Sequence, residues 1–162
     1  MLSKASANPK QTLIYIIVVS VLLRIGSSLY LGNSIEPLPG IFDQTSYHNL
    51  AIRVLDGHGF TFEQRWWPST PAGEPTAHWS YLYTSYIIGI YAVFGANPIV
   101  ARLLQAIAVG ILMPLLLYRL AGRLFAPEKG QQIGLLAAGI SAVYIYFFYY
   151  AAALITESFY IV

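Results

Sequence analysis

Three apolar runs long enough to cross a lipid bilayer constrain this chain more than any other feature. A hydrocarbon core of about 30 Å needs roughly 20 helical residues. The first run, "TLIYIIVVSVLLRIGSSLYLG", predicts a helix over 12–32; the second begins at Ile99 and predicts a helix over 99–125; the third predicts a helix over 133–153. The first follows a polar start at 1–11 that holds Lys4 and Lys10. It precedes "GNSIEP", which is not a small-x-small cleavage pattern, so it reads as an anchor rather than a signal peptide. With 57% hydrophobic and only 10% charged residues, the expectation is an all-α membrane protein, a polytopic helical bundle. The net charge of +2 comes with no block of Lys or Arg, which argues against nucleic acid as a partner. The absence of cysteine excludes disulfides, thiol catalysis and Cys-based zinc sites. The closing "AAALITESFYIV" stops within an apolar run, and an incomplete chain is expected.

Residues 80–95, "SYLYTSYIIGIYAVFG", are apolar but too short to cross comfortably, and charge decides their place. If they stay outside, Arg119, Arg123 and Lys129 join Lys4 and Lys10 on the inner side, as the positive-inside rule asks. The external loop, 33–98, then sets Glu36, Asp43, Asp56, Glu63 and Glu74 against Arg53 and Arg65, a net of minus three. The expected layout is an inner N-terminus, a long external loop with interfacial helices near 43–56 and 80–95, an inner loop at 126–132 and an external turn at 154–162. Tyr47, Tyr81, Tyr83, Tyr86 and Tyr91 suit headgroup depth. This layout brings Asp43, just beyond the first span, and Glu157, just beyond the third, to the same external surface.

Tyr47, Leu50, Ala51 and Val54 follow helical spacing after Asp43, and Gly57 and Gly59 supply a stop. Asp43 shares a face with Tyr47 and Leu50. Asp43 reads as the N-cap of this helix or as a fixed, ionised base, two compatible roles. Glu157 after Thr156 reads either as the first turn of a helix capped by Thr156 or as an ionisable group with a function at membrane depth. In "TFEQRWWPSTPAGEPTAHW" the members suited to a phosphate and a sugar face are Arg65, His78 and Trp79; the alternative is an ordered loop whose tryptophans anchor at the interface. Arg24, inside the first span, either snorkels outward, the preferred reading, or faces the bundle and pairs with an acid. Arg102 reads as an interfacial residue or a phosphate ligand. His48, His58 and His78 lack the spacing of a helical zinc motif.

With "DQTSYHNLAIRVLDGHGF", "EPTAHW", "YAVFGANPIVARLLQAIAVGILMPLLLYRLAGRLF" and "LLAAGISAVYIYFFYYAAALITESF" in that order, the chain resembles the N-terminal part of membrane glycosyltransferases of the GT-C type, nearest to the protein O-mannosyltransferase and lipid A aminoarabinose transferase superfamily. The resemblance implies an active-site acid in the first external loop, within a helical pattern approximated by Asp43, Tyr47, Ala51, Leu55 and Gly59. It implies a second external acid at Glu157. Two departures stand out: "HWSYLY" replaces a proline pair, and Glu74 stands before Pro75 where the aminoarabinose branch has lysine, which argues against lipid A as acceptor.

The activity so implied is inverting transfer of a sugar from a polyprenyl-phosphate donor to an acceptor hydroxyl at the external face of a bacterial cell membrane. Asp43 is the general base, and Tyr47, Arg65, His78, Trp79 and Arg102 are the substrate-binding candidates. Arg65, His78 or Arg102 would steady the leaving phosphate, or else Mg or Mn held between Asp43 and Glu157. The partners are the lipid-linked donor, membrane lipids and an acceptor glycan, lipid or protein. The rival readings are a non-enzymatic membrane protein, such as a transporter fragment or assembly subunit, and an inactive truncated scaffold. A pore or carrier should show broken apolar helices or repeated halves, neither of which is visible in the sequence.

Overall fold

The computed structural model describes residues 8–36 and 42–162; Lys4 and Ile41 lie outside the described residues. The architecture is helical, in the order α1 (Pro9–Leu31), α2 (Asp43–Leu55), α3 (Tyr81–Phe94), α4 (Pro98–Leu124), α5 (Pro127–Val143), α6 (Ile145–Tyr150) and α7 (Glu157–Tyr160). Among the described residues extended pairing is confined to the isolated bridges Thr61–Pro75 and Trp66–Thr70. Local chemistry sets the helix ends. Asn8 caps α1 by accepting from the Lys10 N–H, with Pro9 in the first turn where its missing N–H costs nothing. Gly32, at φ 54°, turns the chain out of α1 and donates to the Ser28 carbonyl. Ser80 caps α3 through the Tyr83 N–H, and Gly95 ends it at φ 73°.

α1 and α4 are each long and apolar enough to cross a membrane. α1 turns apolar side chains outward and polar ones inward. On α1 the buried face carries Ser20, Arg24 and Ser28, spaced four residues apart, whereas Ile14, Val18, Leu22 and Leu29 are exposed. Water would penalise such a helix, and lipid would not.

Arg24 corrects the snorkelling expectation. Its side chain is fully buried and bonds the Ser20 carbonyl and hydroxyl, the Met113 sulfur at 3.4 Å and the Ser141 carbonyl at 3.2 Å. The guanidinium thus links α1 to α4 and α5. None of these partners is a carboxylate, so the expected acid pair is also absent among the described residues.

Small residues bring these helices close together. A Cβ at Gly110 on α4 would meet the Val21 side chain of α1 at 2.9 Å, and one at Gly130 on α5 would meet the Ala121 carbonyl oxygen at 2.9 Å. Pro114 lies buried inside α4 without ending it.

The continuous helix expected over 133–153 is not formed. α5 starts earlier, at Pro127, and stops at Val143; Tyr144 is extended (φ −68°, ψ 118°), α6 follows as a separate short helix, and residues 151–156 are non-helical. The run "YIYFFYY" is made of aromatic and β-branched residues with weak helix propensity. The polar groups released by the break find a partner across the bundle. Gln105 of α4 donates to the carbonyls of Ala151 at 2.8 Å and Ala153 at 2.9 Å while accepting from the Tyr83 hydroxyl at 2.8 Å. A buried amide thus satisfies backbone that leaves the helical pattern.

The tight crossing gives a direct test. Gly130→Ala forces a backbone contact apart and is expected to destabilise the purified chain by about 1–3 kcal/mol, read as a lower unfolding temperature in detergent. Gly139→Ala, whose added Cβ meets nothing nearer than Ile16 Cδ1 at 4.0 Å, is expected to leave it unchanged or raise it.

Candidate functional site

The loop between α1 and α4 builds a small core of its own. Tyr47, Leu50 and Ala51 of α2 pack with Phe62, Trp79, the Tyr83, Ile87 and Tyr91 side chains of α3, and Leu154. Phe60 and Phe62 accept backbone bonds from Thr76 and Gly73, which fold the long connection back on itself. α2 is therefore fixed on both sides, and its first turn is presented at one end of this core.

Asp43 is the first residue of α2, but it does not cap the helix. Phe42 holds the cap position and makes no side-chain bond there, which corrects the capping reading. The Asp43 carboxylate is half-buried, and burial pushes its pKa above the ordinary carboxylate range. The charge on Glu157 pushes in the same direction, and the charge on His78 opposes both. Asp43 therefore senses the acid expected at the same surface. Glu157 is exposed at the start of α7, and Thr156 before it makes no side-chain cap bond but donates its hydroxyl to Glu157 Oε2 at 3.4 Å.

Tyr47, one turn after Asp43, is the hinge of this arrangement. Its buried ring meets Trp79 edge-on at 5.4 Å and Tyr83 at 4.9 Å, and its hydroxyl accepts from the Ser80 N–H at 3.4 Å. Desolvation raises its pKa, the hydrogen bond from the Ser80 N–H and the nearness of the Thr156 hydroxyl work against that, and the charges of Asp43 and Glu157 raise it further. One phenol therefore joins the start of α2, the start of α3 and the residue before Glu157.

A groove of about 560 Å³ opens beside Asp43, lined by Phe42, Asp43, Ser46, Trp66, Trp67 and Trp79. His78 stands between two indoles, 5.2 Å from Trp67 and 5.1 Å from Trp79, edge-on to both. A second, more apolar groove of about 350 Å³ is lined by Ser80, Leu82, Tyr83, Tyr86, Thr156, Phe159 and Tyr160. Ser80 bonds the Tyr47 hydroxyl, and Ser80 and Thr156 border this second groove, so the two openings lie to either side of Tyr47.

Two expected ligands lie elsewhere. Arg102 is fully buried and donates to the Gly32 and Ser34 carbonyls and to Gln44 Oε1, the last at 3.0 Å. These acceptors occupy its terminal nitrogens, which removes it from a phosphate role. Arg65 is exposed on the loop and lines neither groove. Among the expected cations, His78 alone accompanies Asp43. The tyrosines expected at headgroup depth are also largely turned inward: Tyr83 and Tyr91 are buried, and Tyr86 donates to the Ala101 carbonyl at 2.6 Å.

Residues not singled out from the sequence complete the groove. Ser46 was legible, being three residues after Asp43 on the same helical face; its hydroxyl accepts from Trp66 Nε1 at 2.9 Å. Trp66 and Trp67 gave no sign of which tryptophan would face the acid. Among the described residues no group of three or more His, Asp or Glu could hold a metal ion. The Asp43 and Glu157 pair is the small donor set that a largely hydrated Mg or Mn takes.

Comparison with protein-family models, with curated proteins and with solved structures finds no match to this chain.

The titration of Asp43 carries definite signs. Glu157→Gln removes a repelling charge and is expected to lower the Asp43 midpoint, whereas His78→Gln removes an attracting one and is expected to raise it, as read by carboxyl-carbon NMR on labelled protein. A raised folded-state pKa contributes stability that is present below the unfolded value and lost as pH rises through the folded one. Asp43→Asn is therefore expected to unfold at a higher temperature than wild type at about pH 7.5, with the gap closing toward about pH 3.5.

Proposed function

We propose that this chain is a membrane glycosyltransferase unit that moves a sugar from a polyprenyl-phosphate donor to an acceptor hydroxyl, with Asp43 as general base. The observation that carries this reading is a half-buried carboxylate set in a tryptophan-walled groove, where burial and the charge of Glu157 both push its pKa upward. A base needs a pKa raised toward neutrality without losing its ionised form, and burial together with Glu157 pushes Asp43 in that direction.

The topology belongs to the same proposal. α1 leaves the inner face, α4 returns, and α3, at 14 residues, lies at the outer interface. Arg119, Arg123 and Lys129 then fall inside. The inside-out polarity of α1 supports a lipid environment, and a site beside the outer ends of α1 and α4 meets a donor whose tail is in the bilayer.

In the reaction, the acceptor oxygen attacks the anomeric carbon from the face opposite the phosphate and its proton passes to Asp43. The bond between the anomeric carbon and the phosphate oxygen breaks, and polyprenyl phosphate leaves with the electron pair, giving inversion. His78, held between Trp67 and Trp79, is the group placed to offset charge on the departing phosphate. Tyr47 is a positioning residue that keeps Asp43 in register with Thr156 and Glu157. Where Mg or Mn binds, Asp43 and Glu157 would hold it, and it would supply charge neutralisation at the phosphate.

Two features favour a second reading, a non-enzymatic membrane protein with an ion or solute path. The third apolar run is broken at Tyr144, and Arg24 lies buried without an acid partner among the described residues.

Release of free polyprenyl phosphate separates the two. The purified chain in liposomes, given a panel of polyprenyl-phosphate monosaccharides and simple alkyl glycosides, is expected to release it, and Asp43→Asn is expected to slow release by about 10²–10⁴-fold. Release that is absent from wild type overturns the transferase reading for this chain, and release that is equal in Asp43→Asn overturns Asp43 as the base.

A further inference from the structure

Trp66 borders two openings. One face of the loop holds the Asp43 groove, and beyond Trp66 lies a separate cleft of about 300 Å³ lined by Asn49, Ile52, Arg53, Phe62, Glu63, Gln64 and Trp66. The indole is fixed on both counts: its N–H is held by Ser46, and its ring stacks on buried Phe62 with centroids 5.0 Å apart and planes 13° apart. It cannot swing to close either opening without losing both contacts.

The polar lining of the cleft is of a particular kind. Asn49 and Gln64 each offer a donor and an acceptor, Glu63 offers acceptors only, and Arg53 offers donors only. Arg53 gives one N–H to Thr61 Oγ1 at 3.1 Å, and its Nε has no partner among the described residues. The single positive and single negative group cancel, which disfavours a phosphate or an ammonium as the occupant. Planar groups of mixed donor and acceptor character beside an aromatic wall match a neutral polyhydroxylated ring, whose hydroxyls both donate and accept and whose C–H face lies on an aromatic ring. The volume is at the small end for ligand sites, with room for a sugar residue rather than a long chain.

We propose that this cleft is a saccharide-binding subsite that holds the distal part of a glycan acceptor, with the chain passing over Trp66 toward Asp43. Its role as an acceptor subsite rests on the transferase reading; saccharide binding in the cleft does not. The acceptor class so defined is an oligosaccharide rather than a lone lipid or a peptide hydroxyl.

The test is titration of the purified chain in detergent with tetrasaccharides of glucose, mannose and N-acetylglucosamine, followed by tryptophan fluorescence. At least one is expected to give a saturable change. The affinity is expected to fall at least tenfold when Asn49→Ala and Gln64→Ala are combined. Gln64 lies exposed on the loop, so Gln64→Ala alone, with an expected severalfold loss, carries the test should the double variant fail to fold. A cleft that binds none of the three, or binds equally well without the Asn49 and Gln64 amides, overturns the proposal. Saccharide binding without any release of polyprenyl phosphate would retire the transferase reading and leave the cleft standing. Release without saccharide binding would do the reverse.

Discussion

Arg102 reaches from α4 into the gap where α1 ends and α2 begins, and there it meets the carbonyls of Gly32 and Ser34 and the side-chain amide of Gln44. Those three acceptors belong to the end of one apolar helix, the strand of chain leaving it and the first turn of the helix that carries Asp43. A buried guanidinium left without such acceptors would be costly, so the pairing enforces the geometry as much as it stabilises it. Everything proposed for the site depends on α2 being held against α4 in this way. Tyr47 then completes the connection on the other side, toward Ser80 and Thr156.

Arg24 repeats the same device deeper in the bundle, where it ties α1 to α4 and α5 through hydroxyl, thioether and carbonyl partners. The two arginines differ in depth but share a principle: in an apolar surrounding, a charged side chain becomes a connector of backbone segments. Gln105 does comparable work without a charge, bridging Tyr83 to the non-helical stretch after α6. The break in the third apolar run therefore has a structural partner and lies beside the loop core, close in sequence to Glu157.

Much of this was legible from pattern. The helical period after Asp43 gave α2, with Gly57 and Gly59 as its stop, and the apolar stretch 80–95 gave the short helix α3. What could not be read was which polar groups answer one another across the bundle. Arg102 as a hydrogen-bond hub, Arg24 turned inward and the Gln105 amide facing Ala151 are long-range pairings, and a single sequence records none of them. The third run departs from a single helix for a related reason: its apolar character fits a span, but its aromatic, β-branched composition and a distant amide decide where the helix stops. At the site, the acids were read from their places just beyond the first and third apolar runs, whereas the choice among Trp66, Trp67 and Trp79 rests on how the loop folds back through Phe60 and Phe62.

The chain has no cysteine, so thiols can be placed at will to test the central claim that Arg102 and Tyr47 hold Asp43 beside Glu157. Asp43→Cys combined with Glu157→Cys, treated in liposomes with a short bifunctional thiol reagent, is predicted to form an intramolecular cross-link that protects both sites from a mass tag. Full tagging of both thiols after treatment, with His48→Cys and Tyr91→Cys, whose native side chains meet at 2.8 Å, cross-linked as a control, would contradict that claim.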